Sequence, residues 1–450
     1  MKEWTKEGNV IRMNGEEIPV IFDGDVAVAG GGPGGLGAAI AAKRLGANVI
    51  IVELNGFLGG MCSYGAGMPL GGAYPGLKTI GGIAEEILTC VRTAGKDAAD
   101  VRHMPLFGDW YFHDAEYFKS FIAKYVRELG LKVRLHTMFS DVIMKDDRSL
   151  AGIIVDSKNG REAILAKAFI DATGDADVCA RAGARFEKGD ENGDMMGGTI
   201  VYNLGGVDVD AYMAYIKEDP GLKKAIEKAH ADGFPVSDDD KFSSIHKGVR
   251  PNSLFMNSVR VRGVDGTDAD SLTEAELEGR IRVQEEVEFM RAYIPGCKEA
   301  YIMNTGSQIG IRDTRRIIGE DRLTEKDCLD LRKRPESVIL RCAGPFDNTT
   351  RGHARTNVLN DIIMEEWYDI PYGCIVPKDL DNVVVSGRTF SCECMALTSS
   401  RGQALLMGLG QAAGTAAKMI VDAGIAFKDV DVAALQDQLT KDGCDLFGRE

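Results

Sequence analysis

The sequence predicts an α/β chain in which a discontinuous domain, built on a parallel sheet, is interrupted by an inserted α+β domain. Three observations lead there. A strand-helix-strand pattern fills residues 25 to 53, a strand-helix pair recurs at 382 to 423, and the stretch between has a different texture. The expected boundaries are 1–190 and 376–450 for the two parts of the first domain and 191–375 for the insert. A length of 450 residues suits two domains.

Each element has a local reason. "VIRMNGEEIPVIF" (10 to 22) is two extended runs around Asn14-Gly15, a hairpin signal. "DVAVAG" (25 to 30) is an apolar strand, "GPGGLGAAIAAKRLG" (32 to 46) a small-residue helix, and "NVIIVE" (48 to 53) a second strand. Phe118, Ile122, Tyr125, Val126 and Leu129 recur at helical spacing, and a strand follows at 132 to 137. Residues 150 to 174 read as a hairpin turned at Asn159-Gly160. "NVVVSG" (382 to 387) leads into the apolar helix 403 to 423. In the insert, strand-like runs lie at 198 to 204, 254 to 262 and 337 to 342. A capping box from Thr273 to Glu276 is expected to open a helix whose inward face carries Leu277, Ile281, Val287 and Met290.

Composition narrows the partners. A formal charge of −15, with 53 basic against 68 acidic residues and no basic cluster, argues against nucleic acid or an anionic membrane. A small molecule is the expected partner, and self-association is left open. The start "MKEWTKEGNV" has no apolar leader and no stretch approaches roughly 18 consecutive apolar residues, so a cytoplasmic protein is expected. The 10 cysteines form no CxxC pair. Cys392 and Cys394 form a CxC without further ligands nearby, so no metal site is expected. The chain has 54 glycines, above the ~7% of average usage. They cluster at 30 to 37, 59 to 82, 192 to 206 and 402 to 414, which suggests backbone brought close to a large ligand; turn-rich surface is the alternative.

Gly30-x-Gly32-x-x-Gly35 falls between strand and helix, the context a dinucleotide fingerprint requires. Gly30 makes the tight turn, Gly32 lets a pyrophosphate approach the backbone, and Gly35 lets helix pack on strand. Glu53, ending the second strand, is placed to accept from a ribose, and its charge disfavours a 2′-phosphate. With one fingerprint and further glycine clusters around it, the pattern suits one long cofactor lying across a Rossmann-like domain.

The resemblance then becomes specific. "DVAVAGGGPGGLGAAIAAKRLGANVIIVELNGFLGGMCSYG", "GGIAEEIL", "DATGDADVCARAG", "GIRDTRRIIGE", "IPYGCIVP" and "GRTFSCECMALTSSRGQALLMGLGQAAGTAAKM" together resemble the FAD-dependent oxidoreductase family, from about residue 9 to 425. That family is related to the fumarate reductase and succinate dehydrogenase flavoproteins and to the flavin subunit of heterodisulfide reductase. The resemblance implies FAD as cofactor. It implies that Gly30, Gly32, Pro33, Gly34 and Gly35 line the pyrophosphate, with Glu53 on the ribose and Leu54 beside it. Gly59, Gly60 and Met61 would approach the ribityl chain and flavin, and Phe139 the adenine. Ala172, Thr173, Gly174 and Asp177 would close over the adenosine, while Gly387, Arg388, Arg401, Gln403 and Ala404 would meet the isoalloxazine. Many relatives carry histidine where this chain has Thr349 and Cys394, which implies a substrate unlike that of the better-known relatives.

Cys62, in "GGMCSYG", raises the question of a redox thiol. The resolving partner of a CxxxxC pair would stand at position 67, which is Gly67, and no second nucleotide fingerprint is present. A small neutral residue beside the cofactor is the expected role.

For proton transfer and substrate binding, "SQIGIRDTRRIIGE" offers Gln308, Arg312, Arg315 and Arg316, of which Arg312 is the choice for a substrate carboxylate or hydroxyl. The alternative is a structural cluster paired with Asp313, Glu320 and Asp321. His246, expected in a polar loop of the insert, is the candidate proton donor, and an ordinary surface histidine is its alternative. Tyr372 is a candidate hydrogen-bond donor at the domain junction, with His353 behind it. The expected activity is hydride transfer between the flavin and a small polar hydroxylated or carboxylated substrate, with an unknown electron acceptor or donor. An electron-transfer subunit of a larger redox complex is the second expectation.

Overall fold

The computed structural model describes residues 3–73, 81–95, 98–104, 108–237, 242–342, 344–349, 366–444 and 446. His353 lies outside the described residues. The first domain is organised by nine strands in one sheet. Its organising strand is β1 (Glu16–Ala29), followed by α1 (Pro33–Arg44) and β2 (Val49–Val52). Later come β3 (Lys132–Arg134), β4 (Met138–Met144), β5 (Leu150–Ser157), β6 (Gly160–Asp171), β7 (Val383–Val385) and α2 (Gln403–Ala423).

The parallel part runs β3-β2-β1-β6-β7. Its strands are continuous apolar runs, Val26 to Ala29, Val49 to Val52 and Val383 to Val385, as expected where both faces of the sheet are buried. β1 and β6 are long enough to leave this layer. Their first halves join an antiparallel extension, with Val10–Met13 on β1 and with β5 and β4 beside β6. The hairpin expected at Asn14-Gly15 is present, with φ of 54° and 81°. The turn between β5 and β6 is Lys158 and Asn159, since Ser157 pairs with Gly160.

α1 and α2 meet backbone to backbone. A Cβ on Gly37 would stand 2.2 Å from the Met407 carbonyl oxygen, one on Gly410 2.0 Å from that of Gly34, and one on Gly414 2.1 Å from that of Ala38. By length and composition α2 could cross a membrane, the one such helix among the described residues, but 83% of its apolar window is buried inside the protein.

The insert has its own core. Four antiparallel strands, in the order Ile245–Lys247, Leu254–Met256, Tyr202–Gly205, Tyr301–Thr305, pack with a helix at Ala269–Tyr293. Two expectations need correction. The helix begins earlier, capped by Asp268, whose side chain accepts from Ser271 N at 2.8 Å, and Thr273 bonds back to Ala269 O instead. Its inward face is therefore Ala275, Gly279, Val283, Val287 and Met290, while Leu277 and Ile281 are 56% and 61% exposed. The insert also ends sooner than residue 375. Ile317, Leu323, Val338, Ile339 and Ile370 belong to the first domain's core, and the second core runs from Ile200 to Ile309. Main-chain bonds from Ile317 N to Thr389 O and from Leu323 N to Ser391 O stitch that returning segment to the C-terminal part.

The helix contact generates a test. Gly410→Val forces a side chain into the Gly34 carbonyl, and overpacking of this kind costs about 3 kcal/mol. The expected outcome is a large fall in thermal stability with loss of bound flavin. Gly424→Asn, at a left-handed helix end with nothing within 4 Å, is expected to change both little. Equal effects of the two substitutions would refute the backbone-contact reading.

Candidate active site

A cavity of about 1000 Å³ lies between the sheet's C-terminal edge and the insert. It sits at the upper end of the size range for small-molecule sites, about 300–1,000 Å³. Its floor begins with the fingerprint. Gly30 has φ 106°, and a Cβ there would stand 2.1 Å from the Ala172 carbonyl oxygen, so only glycine makes this turn. A Cβ on Gly35 would lie 1.9 Å from the Gly30 oxygen, which is the close helix-strand approach the spacing implied. Gly32 faces open space, with Gly60 Cα the nearest atom at 4.0 Å.

Both helices that start here leave their first N–H groups without a side-chain cap, α1 at Gly32 and α2 at Gly402, and both caps line the cavity. Uncapped N-termini favour anionic groups. Ser386, 1% exposed, lines the cavity between Gly34 and Gly387, and its hydroxyl has no protein partner. A buried orphan hydroxyl of this kind is matched by a ligand oxygen. Glu53 accepts from Gly31 N at 2.7 Å and from Asn55 N and Nδ2 at 2.8 Å. A carboxylate offers about four acceptor positions, which leaves room for a ribose hydroxyl. These features fit FAD.

Most of the expected cofactor residues border this cavity. Gly30, Gly32, Pro33, Gly34, Glu53 and Leu54 do so on the strand side. Phe139, Ala172, Thr173, Gly174 and Asp177 continue that wall. Gly60, Met61, Gly387, Arg388, Arg401 and Gln403 complete it. Gly35, Gly59 and Ala404 stand behind the lining and shape it: Gly59 donates to Gly31 O at 2.8 Å, and Ala404 is buried in the core.

The catalytic candidates separate. Arg312 lines the cavity and donates to Gly197 O at 2.6 Å. Burial first, and the Arg401 cation second, push its pKa well below the ordinary arginine value. The neighbouring arginines are structural. Arg316 forms a buried pair with Asp313 at 2.7 Å, and Arg315 binds Asp177 at 2.7 Å and Asp175 O at 2.9 Å. The pairing alternative thus describes Arg316 with Asp313; Arg315 is paired with Asp177 instead, Asp321 is held by Arg334, and Arg312 has no ion pair among the described residues. His246 also lines the cavity, from the strand Ile245–Lys247 rather than from a loop. Its ring lies edge-on to Trp110 and Phe112, at 6.0 and 5.5 Å between centroids. Tyr372 is a correction. It is 4% exposed, stands away from the cavity, and donates its hydroxyl to Phe427 O at 3.0 Å, so its donor is already committed to the core.

The sequence reading missed several lining residues. Asp175 accepts from Arg388 at 2.6 Å and from Thr314 at 2.7 Å, tying the C-terminal segment and the segment after the insert to the loop that follows β6. It lay inside a quoted motif, "DATGDADV", and charge beside a conspicuous glycine was the available signal. Tyr64, inside the glycine-rich motif "GGMCSYG", also lines the cavity, as do Trp110 and Met104, which no local pattern marked. Among the described residues, no group of three or more His, Cys, Asp or Glu could hold a metal ion.

Comparison with known proteins agrees with this geometry. The family model for FAD dependent oxidoreductases matches residues 25–439. Thiamine thiazole synthase of Aeropyrum pernix is 34% identical over 132 residues, which is 29% of this chain and 43% of that protein, so the match spans less than half of the relative's length. Among solved structures, a geranylgeranyl bacteriochlorophyll reductase-like protein from Thermoplasma acidophilum is 14% identical, with 93% of this chain and 83% of that chain covered and a TM-score of 0.49. The flavin-dependent brominase Bmp2 is 14% identical, with 92% and 83% covered and a TM-score of 0.49. The family match covers nearly the whole chain and coincides with a cavity shaped for its cofactor: the chain belongs to the FAD-dependent oxidoreductase family, and it is an enzyme whose cofactor is FAD.

Proposed function

We propose that this enzyme transfers a hydride between the flavin and a small hydroxylated or carboxylated substrate held by Arg312. The observation that carries the reading is a half-buried guanidinium facing the cavity that, among the described residues, forms no ion pair of its own. A guanidinium keeps its charge, and the carboxylate whose field reaches it, Asp347, is held by Arg401, so an anionic substrate would stabilise the cation that is left. Arg401 beside it is partly offset by Asp347 at 3.2 Å.

When bound, FAD supplies the two-electron acceptor or donor. The chain's part is binding and one proton. Arg312 holds the carboxylate, and the His246 imidazole takes the hydroxyl proton in the oxidising direction or returns it in the reducing direction. The insert covers the cavity and keeps water from the reacting atoms.

A thiol mechanism has no support. Cys62 is 0% exposed, its Sγ donates to Gln403 Oε1 at 2.6 Å, and burial pushes its pKa far above the usual thiol range. A buried protonated thiol is a poor nucleophile. Its work is to hold the Gln403 amide, whose Nε2 donates to Pro69 O at 3.1 Å.

An anaerobic screen of hydroxy acids, sugars and amino acids, read by bleaching of the flavin's visible band, tests the reading. One acid or polyol is expected to bleach it, and Arg312→Ala is expected to lower kcat/KM at least thirtyfold, since losing one partner of a buried charge pair costs about 2 kcal/mol or more. Reduction only by a partner protein, with no small molecule active, would overturn the proposal in favour of electron transfer. Cys62→Ser preserves the donor to Gln403 and is expected to keep FAD and most activity. Abolished turnover with FAD still bound would show that the sulfur takes part.

A further inference from the structure

One part of the cavity wall is accounted for neither by the cofactor nor by Arg312. Met68, Met104 and Trp110 are half-buried and line the cavity beside Met61, the residue expected to approach the flavin. They pack in one small cluster with Ala66, Phe112, Val201 and Phe255, separate from the cores of both domains. The cluster straddles the seam: Met104 and Trp110 come from a three-stranded sheet of the first domain (Leu70–Ala73, Ala99–Met104 and Gly108–His113), while Val201 and Phe255 come from the insert.

This apolar wall is contiguous with the arginine. Met61 reaches under Gly310, where a Cβ would stand 2.7 Å from the Met61 methyl carbon, and Gly310 is two residues before Arg312. Ser307 N donates to Tyr64 O at 2.9 Å, so the segment leading to Arg312 lies directly on the turn that carries Met61. His246 stands edge-on to Trp110, which places the candidate proton carrier beside the apolar wall. Gly71 makes space for the indole, since a Cβ there would stand 2.8 Å from Trp110 Nε1.

Apolar side chains left facing a cavity gain by being covered, and methionine adapts to the shape that covers it. We infer that the substrate is an amphipathic carboxylic acid, its carboxylate at Arg312 and its alkyl or aryl tail on Trp110, Met104 and Met68. This extends the Arg312 assignment of the proposed function, but it is tested without any redox step.

Acetate, hexanoate and phenylacetate are titrated into the FAD-loaded enzyme, and binding is read from the shift of the flavin's visible spectrum. Each buried methylene strengthens binding by roughly fourfold. Hexanoate and phenylacetate are therefore expected to bind at least tenfold more tightly than acetate. Trp110→Ala and Met104→Ala are expected to remove most of that gain and leave acetate unchanged, while Trp110→Phe keeps the aryl gain and reports that the wall still folds. Arg312→Ala is expected to weaken all three acids alike. Equal affinities across the series, no binding of any of the three, or a tail gain that survives both alanine substitutions overturns the inference. If the tail gain appears but Arg312→Ala changes nothing, the apolar wall stands and the carboxylate assignment is the part that fails, which overturns the amphipathic class. If no compound bleaches the flavin while the tail gain holds, only the hydride proposal fails.

Discussion

The site depends on how closely α1 and α2 approach. Gly37, Gly410 and Gly414 let the two helices touch through their backbones, and a side chain at any of the three would part them. Two helix N-termini without side-chain caps consequently open on the same cavity, one from each end of the sequence. A helix start carries partial positive charge, so two such starts make a field suited to an anionic or electron-rich ligand. Ser386 stands at the start of α1, where a Cβ on Gly34 would stand 2.5 Å from its hydroxyl oxygen, and it lines the same cavity. The glycine clusters near 30 and 402 are thus two halves of one contact surface.

Buried charge in this protein follows two patterns. Arg316 with Asp313, and Arg388 with Asp175, are matched cation to anion and fix segments distant in sequence. Breaking such a pair would strand a buried charge, and so these arginines hold the frame. Arg312 donates to a carbonyl oxygen, makes no ion pair among the described residues, and lies near both the Arg401 cation and the Asp347 carboxylate that Arg401 holds. Two of the three arginines in one motif, Arg315 and Arg316, are structural, and only the packing distinguishes the third.

The dinucleotide half was legible because its determinants are local. The turn at Gly30, the helix behind it and Glu53 at the strand end are set by neighbours in sequence, and glycine spacing reports them directly. The insert was less legible because its boundaries are set by long-range pairing. Ser337–Cys342 looks like any apolar strand, and only its partner Tyr368–Pro371 and the bonds from Ile317 and Leu323 to the C-terminal segment assign it to the first domain. The helix at Ala269–Tyr293 shows the same limit at smaller scale. Two cap signals five residues apart compete, the aspartate wins, and the inward face is the one carrying Gly279 rather than Leu277. Tyr372 lay in a recognisable motif, yet its hydroxyl serves Phe427 O, a partner 55 positions away.

How the insert is seated explains why the cavity has an apolar wall at all. The seam is held at its edges by polar contacts: Arg102 donates to the carbonyls of Lys247 and Gly248, Arg250 pairs with Asp114 at 2.5 Å, and Asn203 Nδ2 donates to Ala66 O at 2.9 Å. Asp114 also caps the helix Ala115–Glu128, accepting from Glu116 N and Tyr117 N, so the same carboxylate anchors a first-domain helix and the insert. Directional bonds of this kind fix distance and register without filling space. Inside that rim Phe112 of the first domain meets Phe255 of the insert edge to face, at 6.0 Å between centroids, so the seam closes on apolar packing there, and Trp110, Met68 and Met104 form the half-buried margin of the same cluster where it turns toward the cavity.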